Sequence, residues 1–224
     1  MTDAGKPASV ARVEQLLGAP PKAAGTPSAE SKIKRATDIL GACAGLIALA
    51  PLLFIVSLII RLDSQGPILF RQQRTGLRGQ PFTIYKFRTM HVQENGGRVI
   101  QATKGDSRIT RIGAILRRSS IDELPQLINV LQGNMSLVGP RPHAKAHDDY
   151  YAALLSDYNK RFEAKPGLTG LAQVSGLRGE TAQLEQMSMR IVYDLTYISY
   201  WSAWMDFKII LQTILNLPFD SRAY

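Results

Sequence analysis

Residues 39–60, ILGACAGLIALAPLLFIVSLII, form a run of 22 residues without a charged side chain. As a straight α-helix this run would be about 33 Å long, enough to cross a hydrocarbon core of roughly 30 Å. Soluble cores rarely need so long a charge-free helix, so a buried helix of a soluble domain is the lesser alternative. The run therefore predicts a membrane segment.

Positive side chains flank the apolar run on both sides. Lys32, Lys34 and Arg35 precede it, and several arginines follow it. Because positive flanks mark the cytoplasmic ends of membrane helices, two positive flanks favour two cytoplasmic ends. Pro51 lies within the run, where it removes a backbone donor and favours a kink. A re-entrant hairpin over residues 32–62 explains both observations better than a full span, which stays the alternative.

The net charge of the chain is +9, from 27 Lys and Arg against 18 Asp and Glu. The excess is concentrated between residues 64 and 120, where eleven basic residues accompany only two acids, Glu94 and Asp106. A generic basic surface would distribute its charge more evenly, so this concentration predicts a partner rich in phosphate. Nucleic acid is a poor candidate for that partner, because nucleic-acid binding does not explain a long apolar run.

Several protein classes are excluded by what the sequence lacks. The single cysteine, Cys43, cannot form an internal disulfide, so nothing indicates an oxidised, secreted scaffold. The cysteine and three histidines show no zinc-site spacing, and the phosphate-loop pattern GxxxxGK[ST] is absent. Residues 1–31 are rich in Pro, Ala, Gly and Ser, which predicts a flexible tail with at most a short helix over 10–17.

The remaining patterns predict an α/β fold that is mostly helical and has a small sheet. Short strands are expected at 68–72 and 82–87, with a turn-rich segment between them. Helices are expected to begin near Arg111 and to cover 121–131, 148–163 and 180–200.

The C-terminal part of the chain combines aromatic and apolar residues with few charges. Both tryptophans, Trp201 and Trp204, lie here beside Tyr197, Tyr200 and Phe207. Amphipathic aromatic rings favour the headgroup level of a membrane, so an interfacial helix is one interpretation. Core packing is the other, and the same aromatic face is a candidate surface for a homodimer.

The segment Ser120-Ile121-Asp122-Glu123 offers the first candidate chemistry. Serine followed three residues later by glutamate is the capping-box pattern, and a proline such as Pro125 is tolerated in a first helical turn. In that interpretation the two acids only complement a helix N-terminus. In the functional interpretation Asp122 is a nucleophile that forms an acyl-phosphate, and the adjacent carboxylates hold Mg²⁺ together with substrate phosphates.

Basic residues around this segment favour the functional interpretation. Arg117 and Arg118 lie directly upstream, and two prolines fix the backbone around Arg141, whose planar fork suits phosphate. A structural ion pair is the alternative role for that arginine. Lys86 and Arg88 are two residues apart, which is the spacing of one face of a strand, so both should point to one face. Together these residues predict a site for a phosphate-rich substrate, two carboxylates and a metal, close to a membrane.

Five motifs together resemble the monotopic phosphoglycosyl transferases, bacterial sugar transferases that act on polyprenyl phosphate. The resemblance extends from about residue 31 to residue 217. The motifs are KIKRATD (32–38), GPILFRQQRTG (66–76), YKFRTM (85–90), RRSSIDELPQLINVLQGNMSLVGPRP (117–142) and KPGLTGLAQVSGLRGET (165–181). Agreement across all five is too extensive to be a chance match.

The resemblance implies how the chain is organised at the cytoplasmic face of the bacterial inner membrane. Residues 32–62 would form a re-entrant membrane helix, broken near its proline, with both ends cytoplasmic. Residues 63–217 would form a compact cytoplasmic catalytic domain with interfacial amphipathic helices, between flexible tails at 1–31 and 218–224. Family members often have serine before the helix-breaking proline, whereas this chain has Ala50. Larger relatives carry additional N-terminal helices and a soluble domain, so we expect a short form.

The resemblance also implies a reaction. Asp122 would attack a UDP-sugar, displacing UMP and leaving a phosphosugar on its carboxylate. Polyprenyl (undecaprenyl) phosphate would then attack this intermediate to give a polyprenyl-diphosphate sugar, the first membrane step of exopolysaccharide biosynthesis. Mg²⁺ would be held by Asp122 and Glu123 and would neutralise phosphate charge. Four residues match basic positions of the family and would surround the phosphates: Lys86, Arg88, Arg117 and Arg141. Three prolines would have structural roles: Pro51, Pro125 and Pro142.

The donor sugar is the part of the reaction that the motifs define least. Leu171 and Ser175 stand where many family members have Trp and Asn, in a loop expected to contact the nucleotide or sugar. The continuation GLRGET (176–181) resembles members that transfer glucose-1-phosphate or galactose-1-phosphate. The alternative function is a non-catalytic module, anchored by the apolar helix, that binds anionic lipid through its basic segment.

Overall fold

A computed structural model of the chain describes residues 28–91, 106–179 and 184–216. These residues form an α/β structure that is mostly helical and contains two small sheets. The predicted short helix over 10–17 and the predicted tail over 218–224 lie outside the described residues. Almost all of the predicted tail over 1–31 does so as well.

Helix α1 (Lys32–Asp63) contains the whole apolar run as one α-helix that continues through Pro51. Ser31 caps its start, because the serine hydroxyl accepts a hydrogen bond from the Lys34 N–H. Within the described part of the chain, α1 alone is long and apolar enough to cross a membrane, and only 11% of its most apolar window is buried. A core helix of a soluble protein would be mostly covered, so this exposure disfavours the buried-helix alternative.

Charged side chains in the first two turns of α1 are buried against the rest of the protein. Lys34 Nζ donates to Asp206 Oδ2 at 2.7 Å and to the carbonyl oxygen of Val138 at 3.0 Å. Asp38 Oδ1 accepts a hydrogen bond from the Leu137 N–H at 2.9 Å. Buried charges are tolerated only when they are paired and hydrogen-bonded, so these contacts fix the start of α1 on the domain.

The end of α1 is attached to the same domain by Arg88. Its buried guanidinium donates to the carbonyl oxygens of Ile60, Ser64 and Gln65 at 3.2, 2.6 and 2.8 Å. The last carbonyls of a helix have no intrahelical partner, and basic side chains commonly satisfy them. Arg88 therefore terminates α1 and ties its last turn to the segment that follows β2.

Apolar side chains of α1 pack on the domain in two separate places. In the first half of the helix Ala42 packs in a cluster with Leu127. In the second half Val56 packs in a cluster with Phe87. Other faces of the helix remain uncovered, as at Phe54, whose side chain is 73% exposed. Both halves of the helix thus contact one domain while much of its apolar surface does not.

Strands β1 (Leu69–Thr75) and β2 (Pro81–Phe87) form an antiparallel hairpin, which confirms the two predicted strands. A short 3₁₀ turn, Leu77–Gly79, joins them. Strands β3 (Ser136–Val138) and β4 (Gly167–Thr169) form a parallel pair that the sequence patterns do not predict. Three residues are too few to show a periodic pattern.

Six more helices follow α1 in the described residues: α2 (Arg111–Ser119), α3 (Gln126–Gln132), α4 (Lys145–Leu154), α5 (Leu171–Val174), α6 (Leu184–Tyr200) and α7 (Ala203–Asn216). The expected start at Arg111 is confirmed, and α6 confirms the described part of the helix predicted over 180–200. Two predictions need correction. The helix expected over 121–131 begins only at Gln126, and the one expected over 148–163 stops at Leu154.

A buried hydrogen bond explains why the helix predicted over 148–163 is interrupted. The hydroxyl of Tyr158 donates to Asp148 Oδ1 at 2.6 Å. On a straight helix these residues would be about 15 Å apart along the axis. The chain therefore leaves the helix after Leu154 and turns back through a 3₁₀ segment, Tyr158–Glu163.

Replacement of Asp38 by alanine should destabilise the attachment of α1. The carboxylate accepts from the Ser136 hydroxyl and the Leu137 N–H, and its loss leaves both buried donors without an acceptor. Each unsatisfied buried group costs about 1–3 kcal/mol, so we expect a loss of at least about 2 kcal/mol in the free energy of unfolding. Urea unfolding in detergent micelles, followed by tryptophan fluorescence, measures this loss.

The matched control is Asp63→Ala at the other end of α1. Asp63 is exposed and makes no hydrogen bond or ion pair within the described part of the chain. Its replacement should leave the unfolding midpoint unchanged. Equal midpoints for the two variants would contradict the proposed role of Asp38.

Candidate active site

Asp122 and Glu123 lie on a single 3₁₀ turn, Ile121–Glu123, that follows α2. Ser120, which precedes the turn, has a left-handed backbone with a φ of 58°, and its side chain caps no helix. Helix α3 begins only after Pro125. The capping-box interpretation is therefore wrong, because Ser120 and Glu123 are not the reciprocal caps of a helix.

The carboxylate of Asp122 is buried yet has no hydrogen-bond donor on it in the described part of the chain. Burial raises the pKa of Asp122 to about 6, against the opposing effect of the positive charge on Lys86. The group is therefore ionised above about pH 6 and carries its charge without direct neutralisation. An anion in this condition is poorly solvated and strongly attracted to a cation or an electrophile.

Glu123 lies next to Asp122, but its carboxylate is directly paired with positive side chains. Arg141 holds both of its oxygens, with contacts of 2.6 and 3.1 Å, and Lys86 Nζ donates to Oε1 at 2.7 Å. Burial alone would raise the pKa of Glu123, but the charges of Arg141 and Lys86 outweigh burial and hold the pKa well below its usual range. Glu123 is thus a permanent anion that collects cations beside the free carboxylate.

Arg178 is a further basic residue of the site, and it is absent from the sequence predictions. One of its terminal nitrogens lies 4.0 Å from Glu123 Oε2, and the same nitrogen donates to the hydroxyl of Ser120. The left-handed conformation of Ser120 thus aims its hydroxyl at this guanidinium. Membership of the motif over 165–181 was the only sequence signal for Arg178, because it lies far from Glu123 along the chain.

The structure does not bring Arg88 to the carboxylates. Lys86 reaches Glu123, whereas Arg88 turns toward the end of α1, so the two side chains do not share one face. Side chains alternate regularly only within a strand, and β2 ends at Phe87. The sequence argument extended the strand by one residue too many, and that residue was Arg88.

The other predicted site residues lie in different parts of the structure. Arg117 is half-buried near Asp122 and adds to the positive charge around that carboxylate. Pro125 is buried directly before α3, and Pro142 is half-buried after the phosphate-binding candidate Arg141. Pro51 lies within α1 and has no part in this cluster.

The backbone of Arg141 is held by a residue that the sequence does not reveal. Arg161 donates through NH2 to the Arg141 carbonyl oxygen at 2.7 Å, and the same nitrogen donates to Asp194 Oδ2 at 2.8 Å. Arg161 and Asp194 are both fully enclosed. A buried ion pair with additional hydrogen bonds is a rigid element, so the loop that carries Arg141 has a fixed position.

His143 is enclosed beside this ion pair. Its Nδ1 lies 2.7 Å from an Arg161 nitrogen and 2.8 Å from the Tyr158 hydroxyl. Burial, together with the charges of Arg161 and other nearby arginines, holds the pKa of His143 well below its usual range. The imidazole is therefore neutral in the folded protein at physiological pH.

A family model described as bacterial sugar transferase matches residues 29–219, which is most of the chain. The chain belongs to the bacterial sugar transferase family. The five motifs quoted from the sequence lie within the matched region, so the resemblance that they indicate is confirmed.

Three relatives of this transferase show its place in the family. A UDP-glucose:undecaprenyl-phosphate glucose-1-phosphate transferase of Caulobacter vibrioides is 56% identical over 191 residues, covering 85% of this chain and 72% of that protein. The Escherichia coli K12 protein of the same name is 49% identical over 192 residues, covering 86% of this chain and 41% of that protein. An exopolysaccharide production protein of Rhizobium leguminosarum is 48% identical over 189 residues, covering 82% of this chain and 94% of that protein.

The transferase thus spans about two fifths of some curated relatives and nearly the whole of others. Membership of a family of transferases supports the catalytic interpretation over the alternative of a non-catalytic lipid-binding module. The clustering of Asp122 and Glu123 with four basic side chains agrees with that interpretation.

The carboxylate pair of the transferase would need substrate phosphates to complete a Mg²⁺ site. In the described ranges no group of three His, Cys, Asp or Glu side chains is arranged to hold a metal. Mg²⁺ is often bound by one or two carboxylates and completed by substrate phosphates, so a pair is sufficient. The oxygens of Asp122 are available, whereas those of Glu123 are occupied by Arg141 and Lys86.

The enclosed imidazole makes the stability of the transferase sensitive to acid. His143 gains a proton near pH 6.5 when unfolded but resists protonation when folded, so the unfolded state binds more protons below about pH 6.5. Its contribution is full above that pH and is lost as the pH falls. Between about pH 7.5 and about pH 5.5 this one group should reduce the free energy of unfolding by about 1.4 kcal/mol.

Urea unfolding of the wild type and the His143→Asn variant at both pH values isolates this term. The variant should lose about 1.4 kcal/mol less than the wild type over the same interval. His91→Asn, which replaces an exposed histidine, is the control and should behave as the wild type. Identical pH dependence for wild type and His143→Asn would refute a neutral buried imidazole.

Proposed function

We propose that this protein transfers a sugar-1-phosphate, of the glucose or galactose type, from a UDP-sugar to undecaprenyl phosphate. The products are UMP and an undecaprenyl-diphosphate sugar, and the reaction is the first membrane step of exopolysaccharide biosynthesis. The observation that carries the proposal is the carboxylate of Asp122, which accepts no hydrogen bond in the described residues. It lies beside Glu123, and Lys86 and Arg141 neutralise the charge of Glu123. The Caulobacter and Escherichia relatives are UDP-glucose:undecaprenyl-phosphate glucose-1-phosphate transferases, which supports the reaction. The Rhizobium relative is an exopolysaccharide production protein, which supports the biosynthetic role.

In the first step Asp122 attacks the sugar-bearing phosphorus of the donor. A bond forms between a carboxylate oxygen and that phosphorus, and the bond from phosphorus to the bridging oxygen breaks, so UMP leaves. The carboxylate is a suitable nucleophile because it is ionised at neutral pH and accepts no competing hydrogen bond in the described residues. Lys86, Arg117, Arg141 and Arg178 supply the positive charge that phosphoryl transfer requires.

In the second step a phosphate oxygen of the polyprenyl phosphate attacks the same phosphorus. The bond between phosphorus and the Asp122 oxygen breaks, which restores the carboxylate and completes the lipid-linked diphosphate. Two in-line displacements at one phosphorus need a nucleophile that is reached from the solvent and from the membrane surface. Ile121, directly before Asp122, packs against the cluster that contains Val56 and Ile60 of α1, and this location supports such a geometry.

Mg²⁺ belongs to this proposal as a cofactor held by the carboxylate pair. Asp122 would be the main ligand, and Glu123 would support the metal through its neighbouring negative charge, although Arg141 and Lys86 occupy its oxygens. When bound, the ion neutralises phosphate charge and aligns the diphosphate.

We further propose that α1 enters and leaves the membrane from the cytoplasmic face. The contacts at its two ends support this topology, because Lys34 and Arg88 attach the first and last turns to one domain. A domain cannot lie on both sides of a bilayer at once, so a helix fixed to it at both ends has both ends on one side. Pro51, near the middle of the exposed region, is the position where the helix would bend toward the surface.

Helix α7 would lie along the same membrane surface. Its exposed residues form a continuous apolar strip: Trp204, Phe207, Leu211, Ile214 and Leu215. The rings of Trp204 and Phe207 stack at a centroid distance of 5.2 Å, and Lys208 lies over the tryptophan ring. An aromatic and apolar strip with a basic residue beside it suits the headgroup level of a bilayer. The homodimer interface predicted for this face is the competing use of the strip.

The Asp122→Asn variant should release no UMP from a UDP-sugar, even when no lipid acceptor is present. The amide cannot form the acyl-phosphate, so the loss should be at least about 1000-fold, while folding should be retained because the side chain has the same shape. UMP release by purified protein with Mg²⁺ and UDP-glucose or UDP-galactose measures the first step directly.

Asp149→Asn provides the control for the loss of a carboxylate. Asp149 is exposed on α4 and pairs only with Lys145 at the surface among the described residues, so UMP release should be unchanged. Undiminished UMP release by Asp122→Asn would exclude this residue as the nucleophile.

The topology can be tested by labelling single cysteines in inverted membrane vesicles. In a Cys43→Ser background, Lys32→Cys and Asp63→Cys should both react with a membrane-impermeant maleimide, since both ends are expected on the outer face of such vesicles. Phe54→Cys should be protected until detergent is added, although this residue is exposed in the protein itself. Labelling of only one of the two end positions would establish a full span instead.

A further inference from the structure

Four arginine side chains lie at the short segment 141–144 next to the active site. They come from distant parts of the chain: Arg74 at the end of β1, Arg141 within the segment, Arg161 in the 3₁₀ segment and Arg190 in α6. Arg74 is brought to the segment by a β-bridge between its backbone and that of Ala144. Such a concentration of positive charge needs compensation.

Two of these arginines are compensated by carboxylates. Arg141 pairs with Glu123 at 2.6 Å. Arg161 pairs with Asp194 at 2.8 Å and lies 3.9 Å from Asp148. Both pairs hold elements of the protein together, and each is explained by the folded chain alone.

The other two arginines, Arg74 and Arg190, have no carboxylate within 4.0 Å in the ranges that the structure describes. Arg190 is 6% exposed, and its hydrogen-bond partners among the described residues are the carbonyl oxygen of Gly179 at 3.1 Å and a ring nitrogen of His143 at 3.4 Å. Arg74 donates to the amide oxygen of Gln72 at 2.6 Å. The Nε atoms of both arginines are buried and have no hydrogen-bond partner within the part of the chain that the structure describes.

Both side chains nevertheless remain charged. Burial, followed by the nearby charge of Arg141, lowers the pKa of Arg74 and of Arg190 to about 10, which is still far above neutrality. Each guanidinium is therefore a partly desolvated cation that is repelled by the same third cation. A buried charge without compensation destabilises a fold. Arg88 is likewise buried without a carboxylate, but its terminal nitrogens donate to three backbone carbonyl oxygens at the end of α1. Arg74 and Arg190 have fewer acceptors in the described residues, which favours a bound anion as their compensation.

Building on the transfer reaction proposed above, we propose that Arg74, Arg141 and Arg190 form a phosphate-binding subsite next to Glu123. Arg141 is shared: it pairs with Glu123 on one side and belongs to the arginine group on the other. A phosphate held here would lie beside the carboxylate pair, where a second phosphate group of the reaction must be accommodated. Arg74 and Arg141 are each only partly buried, so solvent reaches the subsite past them.

A phosphate group at this position has two sources in the proposed reaction. One is the UMP half of the donor, and the other is the head group of the polyprenyl phosphate. Both present negatively charged phosphate oxygens to guanidinium groups. The subsite is therefore proposed to bind a phosphate group. Measuring the binding of each compound separately identifies which molecule carries that phosphate.

The test compares Arg190→Met and Arg74→Met in the Asp122→Asn background, where no turnover occurs. Thermal unfolding of the full chain in detergent is recorded alone, with UMP, with undecaprenyl phosphate and with inorganic phosphate. Without ligand, both variants should unfold at the same or a higher temperature than the parent, because an uncompensated buried charge is removed. With ligand, their dissociation constants should rise by about tenfold or more, because a charge-assisted hydrogen bond is lost.

Arg161→Met is the matched control for removing an enclosed arginine. Arg161 has a carboxylate partner, so its loss should lower the unfolding temperature of the free protein. Arg190→Lys keeps the charge at its position and should retain most of the binding that Arg190→Met loses.

The ligand series identifies the source of the phosphate. Weakened binding of UMP alone assigns the subsite to the donor, and weakened binding of undecaprenyl phosphate alone assigns it to the acceptor. If both methionine variants lose stability as Arg161→Met does and bind every compound like the parent, the subsite is refuted. Stabilisation of the parent by none of the three compounds would refute it as well. Failure of the transfer reaction would show separately, as absence of UMP release by the wild type.

Discussion

The ion pair between Lys34 and Asp206 is the contact on which the architecture depends. It joins the first turn of α1 to the start of α7, and the Val138 carbonyl at the end of β3 accepts from the same ammonium group. Tyr197 completes the junction, because its hydroxyl donates to Asp206 Oδ1 at 2.8 Å and lies 3.0 Å from the Val138 carbonyl oxygen. β3 leads directly into the loop of Arg141, so the anchor of the membrane helix and the catalytic cations share one support. Breaking a buried pair of this kind costs about 3–5 kcal/mol.

The two carboxylates of the candidate active site differ in their hydrogen bonding and therefore in the roles that they can have. Glu123 is fully engaged by Arg141 and Lys86, and it therefore acts as an organiser of positive charge. Asp122, one residue away, stays without a hydrogen bond in the described residues, which leaves its oxygens available to a phosphorus or a metal. The 3₁₀ turn makes this difference possible, because it points consecutive side chains in different directions. Rigid placement of the cations follows from Arg161, whose pairing with Asp194 fixes the loop of Arg141.

Long-range periodicity and specific motifs carried the correct predictions. The apolar helix, the hairpin and the clustering of Lys86 and Arg141 around Glu123 were all accessible from the sequence. Contacts that depend on tertiary structure were not. Arg161 resembles any charged surface residue until the fold encloses it, and β3 is too short to show alternation. The prediction that Arg88 lies at the carboxylates was wrong, because the sequence pattern of a strand does not define the residue at which the strand ends.

The sequence separation of Lys34 and Asp206 has a consequence for synthesis of the chain. The two partners are 172 residues apart, so the ammonium group leaves the ribosome long before its carboxylate exists. At about 5–20 residues per second, the apolar helix waits on the order of ten to thirty seconds for its anchor. During that time its charged first turns have no partner at α7, and the domain surfaces that pack on its apolar side chains are still incomplete. In the proposed membrane topology, insertion into the bilayer would therefore precede completion of the catalytic domain, and the finished domain would pack against a helix already in place.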